Sequence, residues 1–83
     1  MHTIQTPGNK IEEHKVVDLM FTGFRIASRA NLTHTTFTSG EKVYGVDITP
    51  DRPNMLNNCK TWNVRLYTDG QLIATGYVDE FDL

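Results

Sequence analysis

The stretch TWNVRLYTDGQLIATGYV, residues 61–78, decides the fold. Asp69-Gly70 sits at its centre between two segments of alternating character, and such a pair suits a two-residue hairpin turn whose central positions both need positive φ. Pairing Thr68 with Gln71 sets a register in which Leu66 faces Ile73, Val64 faces Thr75 and Trp62 faces Tyr77, all on the side expected to meet the core. The other side pairs Tyr67 with Leu72, Arg65 with Ala74, Asn63 with Gly76 and Thr61 with Val78. That second side is mixed in character rather than plainly polar.

Upstream, LTHTTFT and KVYGVDIT flank Ser39-Gly40-Glu41 and are rich in Thr, Val, Tyr and Ile, which suits a pleated, half-buried surface. A tight turn there predicts a second antiparallel hairpin from residues 32–38 and 42–48. Between the hairpins, TPDRPNMLNN holds two prolines and three asparagines and reads as a long connection. Further upstream the period changes. Lys15, Asp18, Thr22, Arg25 and Arg29 recur at intervals of three and four, a polar stripe that lies on one face only of a helix.

Around that stripe Val16, Val17, Leu19, Met20, Phe21, Phe24, Ile26 and Ala27 fill a wide apolar arc. Asn9 with Glu12 has the spacing of a reciprocal helix start, and Asn31 suits a left-handed stop, so the predicted helix covers residues 10–30. Gly23 is discordant, costing about 1 kcal/mol against alanine inside a helix. Close approach to a sheet accounts for it. The first nine residues have too little to bury and read as a flexible tail, while VDEFDL at the other end reads as a packed or frayed terminus. The expected fold is α+β: one N-terminal helix packed on a four-stranded, mainly antiparallel sheet of two hairpins, in a single domain over residues 10–83.

Composition narrows the function classes. With 39% hydrophobic and 22% charged residues, the chain falls away from the disordered corner, and 83 residues hold one core. Ten acidic against eight basic side chains give a net charge of -2, too balanced for a non-specific polyanion binder. No apolar run is long enough to span a bilayer and no leader is evident, so no membrane association is expected. The lone cysteine, Cys59, has no disulfide mate in the chain, which suits a cytoplasmic setting.

Signatures of chemistry are sparse. His2, His14 and His34 are spaced wrongly for a compact metal site, and no cofactor is expected. Cys59 has Asn57, Asn58 and Lys60 beside it but no orienting acid and base. Asp47, Asp51 and Asp69 lack the rhythm of a calcium loop, and the glycines never gather into a phosphate cradle. Asn31-Leu32-Thr33 matches a glycosylation acceptor, yet without a secretory signal the match carries no weight. An enzyme would need His34, Asp47 and Cys59 to assemble through the fold.

Two surface constellations remain. Lys15, Arg25 and Arg29 on the helix stripe form a candidate site for an anion or an acidic partner. The mixed sheet face, with Val43, Arg65, Tyr67, Leu72 and Ala74, beside Asn63 and Val78, has the tyrosine and arginine that interfaces concentrate at their centres. A non-enzymatic, stoichiometric protein-binding module follows as the expectation, of the kind with which phages and mobile elements inhibit host defence proteins. A wide apolar helix and a half-apolar sheet face in so small a chain also predict a homodimer. The alternative is a small nucleic-acid-binding protein using Lys15, Arg25 and Arg29, or Arg65 and Tyr67.

Overall fold

The computed structural model describes residues 2–6, 11–50 and 60–79. One helix, α1 (Glu13–Arg29), packs on a sheet of five antiparallel strands: β1 (His2–Gln5), β2 (His34–Ser39), β3 (Lys42–Pro50), β4 (Thr61–Thr68) and β5 (Gln71–Asp79). Their order across the sheet is β1-β5-β4-β3-β2. Both expected hairpins are present, and α+β holds. The four-stranded sheet gains a fifth member, because His2–Gln5, expected within the tail, pairs with β5 from His2 opposite Tyr77 to Gln5 opposite Ala74. A short segment with few apolar residues orders here because a waiting sheet edge satisfies its backbone polar groups.

The helix is shorter than expected at its start. Its N-cap is Glu12, with extended backbone and no side-chain capping bond, and the Glu12 carboxylate lies 3.3 Å from His14 Nε2. Asn9, the expected cap, lies outside the described residues. The C-terminus follows the sequence: Asn31 has φ of 56°, the Asn31 N–H donates to the Ser28 carbonyl and the Leu32 N–H donates to the Ala27 carbonyl. This is a Schellman stop with asparagine in the left-handed position. Val16, Met20, Gly23, Phe24 and Ala27 form the buried stripe, three and four residues apart. The polar stripe faces outward as its period requires.

The Asp69-Gly70 turn is as read, whereas the first hairpin, expected to turn over Ser39-Gly40-Glu41, pairs Ser39 with Lys42 and turns over Gly40 and Glu41 alone. Asp69 and Gly70 have φ of 52° and 74°, and Gly40 has 64°. Across the β4–β5 hairpin, however, the register holds only for its first steps. Thr68 pairs with Gln71 and Tyr67 with Leu72, but a bulge follows and Leu66 pairs with Ala74 instead of Ile73. Ile73 is the extra residue on β5. Beyond it, Arg65 pairs with Thr75, Asn63 with Tyr77 and Trp62 with Val78.

The bulge exchanges the faces of β5. Ala74 and Val78 are fully buried, whereas Tyr77, expected to pack against Trp62 in the core, is on the opposite face and 38% exposed. Without the shift, Thr75 would turn its hydroxyl into the core and Val78 would face solvent. Those costs favour one bulge. The core therefore comprises Val16, Met20, Phe24 and Ala27 from the helix against Tyr44, Val46, Ile48, Val64, Leu66, Ile73, Ala74 and Val78 from the sheet. Trp62 is half-buried at its margin, edge-on to Phe24 with ring centroids 5.4 Å apart.

Candidate binding face

Helix α1 covers one face of the sheet, and among the described residues no element covers the other. Side chains alternate along each strand, so the register determines what this open face presents. One cross-strand row holds His34, Asp47, Arg65, Thr75 and Ile4, from β2 through to β1. The next row holds Thr36, Gly45, Tyr67 and Leu72. Val43 and Thr38 pair beyond it, while Thr49, Asn63 and Tyr77 lie on the far side of the first row.

Four of the five expected interface residues meet on this face: Val43 is 57% exposed, Leu72 is 36% exposed, Arg65 is exposed and Tyr67 is half-buried. Ala74 does not join them. The bulge at Ile73 turns Ala74 into the core, where it has no exposure, and Val78 goes with it. Two apolar members were missed by the sequence reading. Ile4 is 74% exposed on β1, in a segment taken for tail, and Tyr77 reaches the face only because of the bulge. The alternative phase of β5, with small Ala74 and Gly76 alternating with larger side chains, was the available signal for Tyr77.

Two hollows lie on this face among the described residues. One, of about 460 Å³, is lined by Ile4, Thr49, Asn63, Arg65, Thr75 and Tyr77. The other, of about 590 Å³, lies over Gly45 between β2 and β4 and is lined by His34, Thr36, Val43, Asp47, Tyr67 and Asp69 among others. At its edge the His34 Nδ1 and Asp47 Oδ1 form a close hydrogen bond across β2 and β3. An ionised carboxylate can only accept, so Nδ1 donates this bond. Thr68 Oγ1 donates to the Val43 carbonyl at 3.1 Å and ties the end of β4 to β3.

His34 and Asp47 thus assemble through the fold; Cys59, the third member of the weighed catalytic set, lies outside the described residues. No group of three or more His, Cys, Asp or Glu side chains placed to hold a metal occurs among the described residues.

The second constellation is elsewhere. Lys15, Arg25 and Arg29 are exposed on the outer side of α1, with the helix and the sheet between them and Arg65. The Arg25 guanidinium lies over the Phe21 ring, 5.7 Å from its centroid, and Thr22 Oγ1 donates back to the Asp18 carbonyl at 2.8 Å. The basic side chains therefore divide between two faces. Among the described residues no helix is long and apolar enough to cross a membrane. Neither known protein families, nor curated proteins, nor solved structures yield a match to the chain.

Proposed function

We propose that this chain is a non-enzymatic protein-binding module that acts stoichiometrically through the open face of its sheet. The observation that carries the reading is the composition of that uncovered face: Ile4, Val43, Leu72 and Tyr77 are exposed around Tyr67 and Arg65. An aromatic ring with a polar tip, an aliphatic neighbour across the strand and a planar cation within one patch are the ingredients of binding hot spots. The finer reading is an inhibitor of a host protein, such as phages and mobile elements use, working in the cytoplasm. A small rigid domain that occludes a partner's surface needs no catalytic apparatus, and the lone Cys59 suits a reducing compartment.

The nucleic-acid alternative draws less support, because Lys15, Arg25 and Arg29 lie on the side of the molecule away from Arg65 and Tyr67. A backbone-tracking groove needs its cations alongside its stacking rings. Affinity capture with the parent chain, with Tyr67→Ala and with Arg65→Glu tests the proposal. Both variants should keep the parental melting temperature and lose about 1–3 kcal/mol of partner binding, since the patch lies outside the core. Retention of the same partner by both variants removes this face as the binding site. Retention on a nucleic-acid column that falls steeply with salt, and that is lost when Arg25 and Arg29 are replaced, establishes the alternative instead.

A further inference from the structure

Gly45 lies in the middle of β3, between β2 and β4, where glycine weakens a strand and has no side chain to pack. Its backbone does not require it, because the described glycines with positive φ are Gly40 and Gly70. Crowding does not require it either. A Cβ built at Gly45 meets nothing closer than His34 Cε1 at 3.6 Å, with the Thr35 carbonyl oxygen and Thr36 Cγ2 at 3.8 Å, which is ordinary van der Waals contact. Gly45, itself buried beneath its neighbours, lies among the residues that line the 590 Å³ hollow on the uncovered face.

The rim defines what such a hollow can take. Asp47 and Asp69 contribute carboxylates, Thr36 and Thr68 hydroxyls, and Tyr67 an aromatic ring, with His34 bonded to Asp47 at the edge. Among the described residues no Lys or Arg lines it; Arg65, opposite Asp47, lines the neighbouring hollow instead. Acceptors and negative charge around an aromatic wall favour a cationic, donor-rich group, with the ring supplying cation–π attraction.

From this charge complementarity and the aromatic wall we infer that the hollow over Gly45 is the socket for a cationic side chain of the protein partner, an arginine foremost. The inference rests on the reading of the open face as a protein-binding surface and specifies what that face recognises.

A titration of the full chain with Nα-acetylarginine amide, followed by amide and ring resonances in two-dimensional NMR, tests the socket without the partner. Saturable shifts are expected at Gly45, Tyr67 and Asp69, with the neutral Nα-acetylleucine amide giving none. Asp69→Asn removes one rim charge and keeps a residue that the hairpin turn accepts, and Gly45→Val fills the floor with a good strand former. Binding of the arginine probe should weaken by about threefold in Asp69→Asn and by about tenfold or more in Gly45→Val. Shifts scattered over the surface, equal shifts with the leucine probe, or parental affinity in Gly45→Val overturns the socket. If the socket fails while Tyr67→Ala still abolishes partner capture, the open face stands as the binding surface and only its preference for a cation is lost.

Discussion

At Gly23 a methyl group would collide with the sheet beneath the helix. A Cβ there falls 2.5 Å from Val46 Cγ2, 2.6 Å from Val46 Cγ1 and 3.0 Å from Phe37 Cε1, and Val46 is fully buried with nowhere to move. Alanine gains about 1 kcal/mol of helix propensity at such a position but incurs an overpacking cost of about 1–3 kcal/mol. We expect Gly23→Ala to lower stability by about 1 kcal/mol, seen as a midpoint shift in urea with unchanged slope. Gly45→Ala should do the reverse, raising stability by about 0.5 kcal/mol, because its Cβ meets only ordinary van der Waals contacts and the strand gains a side chain. A stabilised Gly23→Ala would mean that Val46 yields and that the helix does not sit as close as described. The same logic redistributes the aromatic core: Phe24, at 2% exposure, should cost about 3–5 kcal/mol on truncation to alanine, and half-buried Trp62 less, although Trp62 was expected to anchor the core.

Among the elements, α1 was legible where its period and its stop are local. The stripe of Lys15, Asp18, Thr22, Arg25 and Arg29 settles which side faces water, and Asn31 ends the helix through its left-handed backbone. Asn31→Gly should therefore preserve or raise stability, while Asn31→Val should lower it by about 1 kcal/mol, because a β-branched residue resists positive φ. Equal melting temperatures for the two variants would show that the cap contributes nothing. The β4–β5 turn was legible for the same local reason, through Asp69-Gly70. What lies one step beyond the turn was not. A bulge at Ile73 is chosen by the competition between burying Val78 and burying Thr75, which depends on the helix overhead and on β1 alongside. Just beyond β1, Thr6 supplies the Ile73 carbonyl with its N–H at 3.0 Å and its hydroxyl at 3.4 Å. Alternation in sequence carries no mark of such a slip, so Ala74 and Tyr77 were assigned to each other's faces. Tyr67 and Leu72, lying between the turn and the bulge, kept the right side.

At the scale of the whole molecule, the sheet ends in two edges, and the β2 edge is the less protected. The Ile48 N–H donates to the Thr33 carbonyl at 2.7 Å, which makes Thr33 and Ile48 a hydrogen-bonded pair, and every second pair along β2 follows suit. The backbone groups of His34, Thr36 and Thr38 must then point outward, away from β3. Sequences that guard such an edge place lysine, proline or a bulge on it, and HTTFTS carries none of these. A second copy related by a two-fold axis at Thr36 would pair His34 with Thr38 of its mate and continue the sheet across the axis, with both open faces on the same side. A homodimer is the expected state, and static light scattering should report a mass rising with concentration from 9.4 kDa toward twice that value. Thr36→Lys would set two ammonium groups against each other at the axis and should weaken association by about fivefold. Thr36→Pro removes an outward N–H that β3 does not use, and should abolish association while leaving the β2–β3 ladder paired. A mass fixed at 9.4 kDa up to millimolar concentration eliminates the dimer. Association that survives both substitutions moves it off this edge, to β1 or to the open face.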